Sequence, residues 1–311
     1  MHFADRLTAA IREKAVAACV GFDPVLEKLP ESVRPAVGAN NNDAVAAIVE
    51  FGRGVIRAIA PHVPAIKINI AFFEPFHASG IDAYHELVRA SHDAGLLVIG
   101  DVKRADIGHT SMQYALAQLG ASSCDFAPDA IPDAITINPY FGIDGVQPFI
   151  DVARTHGRGL FVLVQTSNPS ADQVQGLGLP DGFTVCQHVA KLVEDWAGES
   201  NLVGKSGYSL IGAVVSPRDL PSTGVIRGLM PHSIFLVPGF GAQGRTAEEV
   251  ARCFKPDGTG AIVAASRSVI YAFRKSEHIA KHGDDWFACV EAGTKELVRS
   301  LQGALPRPMS V

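Results

Sequence analysis

The stretch Ile99-Gly-Asp-Val-Lys-Arg-Ala-Asp-Ile-Gly-His-Thr110 begins where an apolar run ends and charged residues start. Asp101 and Lys103 are two residues apart, so their side chains point to the same face if the strand extends through both. Asp106 follows where helical spacing of apolar residues begins. We therefore predict that two carboxylates and an ammonium group share one strand-to-helix turn. Any strand that ends in solvent can be followed by charged residues, so this stretch alone does not show whether the three side chains have a function.

The composition excludes several classes of protein. The chain has 311 residues, 47% of them hydrophobic, and a net charge of −5, without the basic surface that a nucleic-acid-binding protein needs. Its five cysteines are scattered and mostly lie in apolar surroundings. We interpret them as buried thiols of a reducing compartment. No apolar run is long enough to span a membrane, and charges interrupt the N-terminal apolar residues. We expect a cytoplasmic protein that binds neither nucleic acid nor membrane.

A strand-then-helix rhythm runs along the whole chain. Continuous apolar runs, typical of strands that are buried on both faces, occur at Ala18–Asp23, Ala65–Ala71, Leu96–Lys103, Ala134–Asn138, Leu160–Thr166, Ile211–Ser216, Ile234–Gly239 and Ala261–Ser266. Helical patterns lie between them at Asp43–Ala60, Ile81–Ala94, Asp144–His156, Thr184–Ala197 and Thr246–Phe254, several beginning with Asp, Ser or Thr in a capping position.

Eight such units in this length predict an α/β fold, a (β/α)8 barrel. A doubly wound open sheet would need fewer strands or a second domain, and no change of composition marks a boundary. We therefore predict one domain over residues 1–311, with a frayed tail at 304–311. Two long connections, Pro24–Asn42 and Ser167–Gly182, have the length of functional lids or of disordered segments.

Catalytic groups in such barrels lie where the strands end, so the polar residues at those positions are candidate site residues. They are Asp23, Lys67, Asn69, Asp101, Lys103, Asn138, Thr166, Ser167, Ser216, Ser266 and Arg267. Lys67 has apolar neighbours on both sides and needs a partner, for which Asp101 and Asp106 are candidates. A purely structural row of ion pairs would give the same pattern.

The seventh and eighth strand ends point to a phosphate group. In Pro238-Gly-Phe-Gly-Ala-Gln-Gly244 the glycines let backbone N–H groups approach an anion, and Gln243 can donate a side-chain amide. Arg267 follows the eighth strand and can bind phosphate oxygens bidentately. Many barrels build their phosphate site from these two loops, so position and composition agree.

The chain resembles the orotidine 5′-phosphate decarboxylase family, in particular its longer bacterial branch. The motifs occur in the family's order and extend to Ala272; they are Gly21-Phe-Asp-Pro24, Lys67-Ile-Asn-Ile-Ala-Phe-Phe-Glu74, Asp101-Val-Lys-Arg-Ala-Asp-Ile-Gly108, Thr136-Ile-Asn-Pro-Tyr140, Gln165-Thr-Ser-Asn-Pro169, Pro238-Gly-Phe-Gly-Ala-Gln-Gly244 and Ala265-Ser-Arg-Ser-Val-Ile-Tyr-Ala272. Ala105 and Phe240 depart slightly from the usual residues, and neither carries chemistry.

The resemblance implies decarboxylation of orotidine 5′-phosphate to UMP, the last step of pyrimidine nucleotide synthesis, without metal or organic cofactor. It implies that Lys103 protonates C6 of the pyrimidine, that Asp101 lies near the substrate carboxylate, and that Lys67 links Asp101 to the ribose. It further implies a homodimer in which Asp106 and Thr110 reach the neighbouring site. The other substrate contacts that we expect are Asp23, Asn69, Asn138, Ser167, Gln243, Gly244, Ser266 and Arg267.

Two alternatives remain at this point. Asp-x-Lys-x-x-Asp also occurs in related sugar-phosphate decarboxylases and aldolases, which use a divalent metal near the second strand, where Glu74 would be the ligand. A barrel that binds a nucleotide phosphate without catalysis is the other, and loss of Asp101 or Lys103 would be its sign. Both residues are present.

Overall fold

The computed structural model describes residues 1–36, 40–120, 128–217, 220–241 and 246–304. The eight strands are β1 (Ala18–Phe22), β2 (Ala65–Asn69), β3 (Leu97–Arg104), β4 (Ala134–Ile137), β5 (Gly159–Gln165), β6 (Ile211–Val215), β7 (Phe235–Val237) and β8 (Ala261–Ala265). They form a closed barrel in chain order, and every neighbouring pair is parallel, including β1 with β8. The predicted (β/α)8 barrel is therefore confirmed, with each predicted strand within two residues of its observed bounds.

Helices alternate with the strands on the outside of the barrel. Within the described residues the α-helices are α1 (Phe3–Lys14), α2 (Asn41–Ile59), α3 (His77–Asp93), α4 (Gly108–Leu119), α5 (Ile143–His156), α6 (Val185–Ala197), α7 (Leu220–Leu229), α8 (Ala247–Ala251), α9 (Arg267–Ile270), α10 (Ser276–His282) and α11 (Trp286–Ala304). All five predicted helices are present. The predicted frayed tail begins at Ala304, which ends α11, and its other residues lie outside the described part of the chain.

Two helix starts differ from the sequence prediction for identifiable reasons. The helix that we expected from Asp43 begins at Asn41, because the side chain of Asn40 accepts a hydrogen bond from the backbone of Asp43 (3.0 Å) and caps the helix. α3 begins before Gly80 rather than after it. A Cβ at Gly80 would lie 2.0 Å from the carbonyl oxygen of Phe73, so this glycine permits close packing instead of ending the helix.

Aromatic side chains fill the space between the barrel and its helices. Phe51 of α2 contacts Tyr271, Phe273 and Trp286 at ring-centroid distances of 5.3–6.3 Å. Phe3 of α1 packs edge-on against Phe161 of β5 and covers Gly159, where a Cβ would overlap its ring. Because Gly159 is the first residue of β5, α1 closes the amino-terminal end of the barrel, and the carboxyl ends of the strands remain open for a site.

A buried ion cluster holds the closed end together. Asp133, directly before β4, is 3% exposed and accepts hydrogen bonds from Arg6 of α1, from His92 of α3 (3.0 Å) and from the backbone of Val98 in β3 (2.8 Å). Burial alone would raise the pKa of Asp133, but these cationic and hydrogen-bonding partners lower it to about 2. One carboxylate thereby ties two helices to two strands.

We expect Asp133→Asn to lower the free energy of unfolding by about 3 kcal/mol, because it leaves buried cationic groups without a counter-charge. The measurement is urea unfolding at pH 7. Asp151→Asn is the matched control, since Asp151 pairs with Arg154 on the exposed face of α5 and should change stability by about 0.5 kcal/mol or less. Equal effects of the two substitutions would contradict the role of the cluster.

The same cluster predicts the pH dependence of stability. The folded pKa of Asp133, about 2, lies below the value of about 3.9 expected in an unfolded chain. Its stabilisation is therefore complete above pH ~4 and is lost as the pH falls toward ~2. Unfolding curves measured between these values should show the parent converging on Asp133→Asn, and a constant difference would contradict the assignment.

Candidate active site

A row of three charged side chains lies at the open end of the barrel. Asp101 accepts hydrogen bonds from the ammonium groups of Lys67 and Lys103, one at each carboxylate oxygen, and both distances are 2.5 Å. The Asp101 and Lys67 side chains are 8% and 12% exposed, whereas that of Lys103 is 49% exposed. Two cations therefore share one buried carboxylate, and one of them extends toward solvent.

The register of β2 and β3 brings this row together. Asn69 pairs with Asp101, and Lys67 pairs with Ile99. The side chains of Lys67 and Asp101 therefore point to the same face of the two adjoining strands. The position of Lys103 does not follow from this alternation of side chains alone. Its φ of 45° lies in the left-handed region, and the register between β3 and β4 shifts between Gly100 and Arg104. An unfavourable backbone conformation of this kind is found at functional sites, where surrounding contacts stabilise it.

Thr136 holds this irregular backbone, and the sequence analysis gave it no role. Its hydroxyl donates to Asp101 Oδ1 (2.9 Å) and accepts a hydrogen bond from the backbone N–H of Lys103 (3.0 Å). Thr136 is 1% exposed and belongs to β4. The sequence signal was present, because a hydroxyl interrupts an otherwise apolar strand, but its partner depends on the register between the strands.

The row determines the charge state of its buried members. Burial alone would raise the pKa of Asp101, but the ammonium groups of Lys67 and Lys103 hold it well below its ordinary value. Burial alone would lower the pKa of Lys67, but the carboxylates of Asp101 and Asp23 raise it above its ordinary value. Asp101 is therefore an anion and Lys67 a cation over the whole physiological pH range.

These residues line a cavity of about 270 Å³ at the carboxyl ends of the strands. Of the predicted site residues, the cavity brings together Asp23, Lys67, Asn69, Asp101, Lys103, Ser167, Ser266 and Arg267, with Thr166 beside them. One carboxylate oxygen of Asp23 and the hydroxyl of Ser266 are buried and have no hydrogen-bond partner among the described residues. Buried polar atoms of this kind need a partner, so a bound polar ligand would satisfy them.

The side of the cavity opposite the charged row fits an anion. Gly239 and Gly241 follow β7 with φ values of 97° and 76°, which only glycine adopts readily. Gly239, Phe240 and Arg267 line the cavity there, and Arg267 is the first residue of α9. The predicted contacts Gln243 and Gly244 lie outside the described residues.

Four predicted site residues of the described part of the chain do not line the cavity, and one of them, Ser216, is buried directly after β6. Asp106 is half-buried and accepts a hydrogen bond from the backbone of Ile107 (2.8 Å), and Thr110 is exposed on the first turn of α4. Asn138 is exposed and accepts a hydrogen bond from the backbone of Tyr140 (3.1 Å), forming the turn after β4. The chain thus gathers the two lysines and Asp101 by itself, and it leaves Asp106 outside the lining of the cavity.

Tyr271 is a second supporting residue that the sequence analysis missed. Its hydroxyl donates to the carbonyl oxygen of Asp23 (3.0 Å) and accepts from the backbone N–H of Val25 (2.7 Å). Burial raises its pKa to about 12, so the hydroxyl keeps the proton that it donates. Tyr271 thereby fixes the loop after β1 and the carboxylate that this loop presents to the cavity.

The long connection after β5 has more local structure than we expected of a lid. It contains a 3₁₀ helix, Pro169–Gln173, and an isolated bridge between Gly178 and Thr184. The side chain of Gln175 accepts from the backbone of Thr166 (2.9 Å) and donates to its hydroxyl (2.7 Å), which anchors the loop beside the cavity. Val174 and Leu177 remain more than half exposed.

Glu74 would be the metal ligand in a metal-dependent sugar-phosphate decarboxylase or aldolase, but here it forms an ion pair. Its carboxylate accepts a hydrogen bond from the guanidinium of Arg104, which also lies over the ring of Tyr114. Among the described residues, no three potential metal ligands of the His, Cys, Asp and Glu types converge at the cavity. The residues at the cavity therefore favour a reaction carried out by Lys67, Asp101 and Lys103 over one in which Glu74 binds a metal ion.

Comparison with known proteins identifies the family to which this chain is similar. A model of the orotidine 5′-phosphate decarboxylase / HUMPS family matches residues 43–281. Orotidine 5′-phosphate decarboxylase of Rhodopirellula baltica is 40% identical over 305 residues, covering 97% of this chain and 100% of that protein. The enzyme of the same name from Caldicellulosiruptor saccharolyticus is 35% identical over 292 residues, covering 89% of this chain and 92% of that protein.

The fold comparison leads to the same group of proteins. The solved OMP decarboxylase of Leishmania donovani is 28% identical, with a TM-score of 0.72 over 98% of each chain. Relatives above 30% identity over nearly their full length, and a family match over most of the chain, establish membership. The chain belongs to the orotidine 5′-phosphate decarboxylase / HUMPS family.

Proposed function

We propose that the chain decarboxylates orotidine 5′-phosphate to UMP and that Lys103 delivers the proton. The observation that carries the proposal is the hydrogen-bonded row of Lys67, Asp101 and Lys103 at one side of a cavity whose other side presents Gly239 and Arg267. In a family whose named relatives are orotidine 5′-phosphate decarboxylases, this arrangement matches a substrate with a reacting carboxylate at one end and a phosphate at the other.

The bond-breaking and proton-transfer steps can be assigned to the charged row. The bond between C6 and the carboxylate breaks, carbon dioxide leaves, and the electron pair stays on C6. The ammonium group of Lys103 stabilises that charge and transfers a proton to C6, forming the C–H bond of UMP, and solvent then reprotonates the amine. Asp101, which stays anionic between two lysines, faces the substrate carboxylate and disfavours the bound ground state relative to the transition state.

Magnitudes show that Lys103 does not act alone. One ammonium-to-carbanion contact is worth about 4 kcal/mol at an effective dielectric constant near 20. Enzymes lower barriers by roughly 8–23 kcal/mol. Charges that are fixed in advance supply part of the remainder, and Thr136 and Lys67 keep them fixed. Binding of the phosphate by Arg267 and the loop after β7, together with closure of the loops, supplies another part.

The first test is the fall in absorbance when purified protein is mixed with orotidine 5′-phosphate in the presence of EDTA. We expect turnover by the parent and a loss of about 1,000-fold or more in Lys103→Ala, since one charge contact of about 4 kcal/mol is removed. Lys295→Ala, a surface lysine of α11 that pairs with Glu291, is the control and should retain full activity. A folded parent that turns over only sugar phosphates, and only with magnesium, would overturn the proposal.

Thr136→Val tests whether the hydroxyl between Asp101 and Lys103 matters. It removes a hydrogen bond to a charged group and leaves a buried N–H unpaired, at a cost of about 1–3 kcal/mol, so kcat/KM should fall by about 10- to 100-fold. The control is Thr294→Val. Thr294 is as buried as Thr136, and its hydroxyl donates only within α11, to the carbonyl oxygen of Val290. Unchanged kcat/KM in the first variant, or an equal fall in both, would contradict the positioning role.

The proposal includes a homodimer in which Asp106 and Thr110 complete the neighbouring site. Two observations support it. Asp106 is half-buried and does not line the cavity of its own chain. Large apolar side chains are exposed on α4 and α5 or in the residues directly before them, and they are Ile107, Tyr114, Tyr140, Phe141 and Ile143. An exposed apolar area next to a charged residue is typical of a protein interface.

Mixing two inactive variants tests the shared site. After Lys103→Ala and Asp106→Ala chains are allowed to exchange, each mixed dimer should contain one site with both residues. Random exchange then restores about a quarter of the sites of the parent. The control is a mixture of Lys103→Ala with the double variant, which contains no complete site. No recovery in the first mixture would show that Asp106 acts within its own subunit, and recovery in the control would show that Lys103 is not required.

A further inference from the structure

A cluster of three potential metal ligands lies outside the barrel, where α10 meets α11. Glu277 and His278 belong to α10, and Glu296 belongs to α11. Their ligand atoms, one from each residue, all lie within 4.8 Å of one another. We call these three residues the C-terminal cluster. No step of the proposed decarboxylation uses it.

His278 distinguishes this cluster from an ordinary group of acidic residues at the surface. The residue is 1% exposed, and neither of its ring nitrogens makes a hydrogen bond with a described residue. A buried imidazole normally satisfies at least one nitrogen, because leaving a polar group unpaired inside a protein costs free energy. The unpaired nitrogen atoms of His278 therefore need a partner, and a metal ion is one that imidazole binds well.

The distance to Glu296 fits two ligands of one ion. Nε2 of His278 lies 3.2 Å from a carboxylate oxygen of Glu296, yet the pair lacks hydrogen-bond geometry. Two ligands that each lie about 2.0–2.1 Å from a tetrahedral zinc ion are themselves about 3.3 Å apart. The lone pairs then point at the ion instead of at each other, which accounts for a short contact without a hydrogen bond.

The cluster already faces one cationic side chain. Lys275 Nζ forms an ion pair with the same Glu296 oxygen at 4.0 Å, beyond hydrogen-bonding distance, so a bound metal ion would replace this weak contact. Glu277 is exposed and the Glu296 side chain is 38% exposed, so the cluster opens to solvent on the side away from His278. Three protein ligands and a water molecule complete the four-coordinate shell that zinc prefers.

We propose that the C-terminal cluster binds one divalent transition-metal ion, with Zn²⁺ as the best match, through Glu277, His278 and Glu296. The ion links α10 to α11. Because α11 packs against α9 and α2, the link stabilises the C-terminal helices on the barrel without taking part in the reaction.

Calorimetric titration of the metal-free full-length chain with zinc chloride tests the proposal. We expect one site per chain, a higher Tm with zinc, and no comparable effect of magnesium, since imidazole is a poor ligand for magnesium. His278→Gln should weaken zinc binding by about 100-fold or more, because even indirect supports of a metal site are worth 10- to 100-fold. Glu296→Gln, at a partly exposed position, should do the same and guards against misfolding of the first variant.

The chain contains a matched control. His62 Nε2 lies 3.1 Å from Glu291 of the same helix α11, but this pair makes a proper hydrogen bond, and no third potential ligand joins it within the part of the chain that the structure describes. His62→Gln should leave zinc affinity and the zinc-dependent rise in Tm unchanged. Zinc binding that survives both His278→Gln and Glu296→Gln, or a parent that binds no zinc, would overturn the proposal.

Discussion

The buried carboxylate of Asp101 is the interaction on which the rest of the site depends. An isolated carboxylate in this position would cost several kilocalories per mole, and the two ammonium groups within 2.5 Å offset that cost. The dependence is mutual, because removal of Asp101 would leave the ammonium groups of Lys67 and Lys103 close together, with the carboxylate of Asp23 as the remaining counter-charge of Lys67. The three side chains can therefore keep their charges only while β2 and β3 stay in register and the backbone at Lys103 keeps its unusual conformation.

Both ends of the barrel use a buried carboxylate, with different consequences. At the closed end, Asp133 binds Arg6, His92 and a backbone N–H, and these partners hold helices against strands. At the open end, Lys103 is half exposed, so one partner of the buried carboxylate can also reach a ligand. The first arrangement provides stability. The second keeps a charge available for chemistry, and Thr136 and Tyr271 hold the surrounding backbone in place.

Much of the fold and the centre of the site could be predicted from local patterns. The apolar runs and helical spacings located all eight strands and the five predicted helices, because burial on both faces and 3.6-residue periodicity are visible in a short window. Residue type and position after a strand identified Asp101, Lys103 and Lys67. The starts of α2 at Asn41 and of α3 at His77 could not be predicted from local patterns, because the first depends on a cap from Asn40 and the second on packing against Phe73.

The sequence by itself determined the barrel and the charged row, because each follows from residue types at short spacing. Only the tertiary structure decided which groups meet. Three contacts join segments far apart in the chain: the bond from Thr136 to Asp101, the support of Asp23 by Tyr271 and the pairing of Glu74 with Arg104. Strand register, a shift of that register at Lys103 and helix packing set these contacts, and none of the three is a property of a local window.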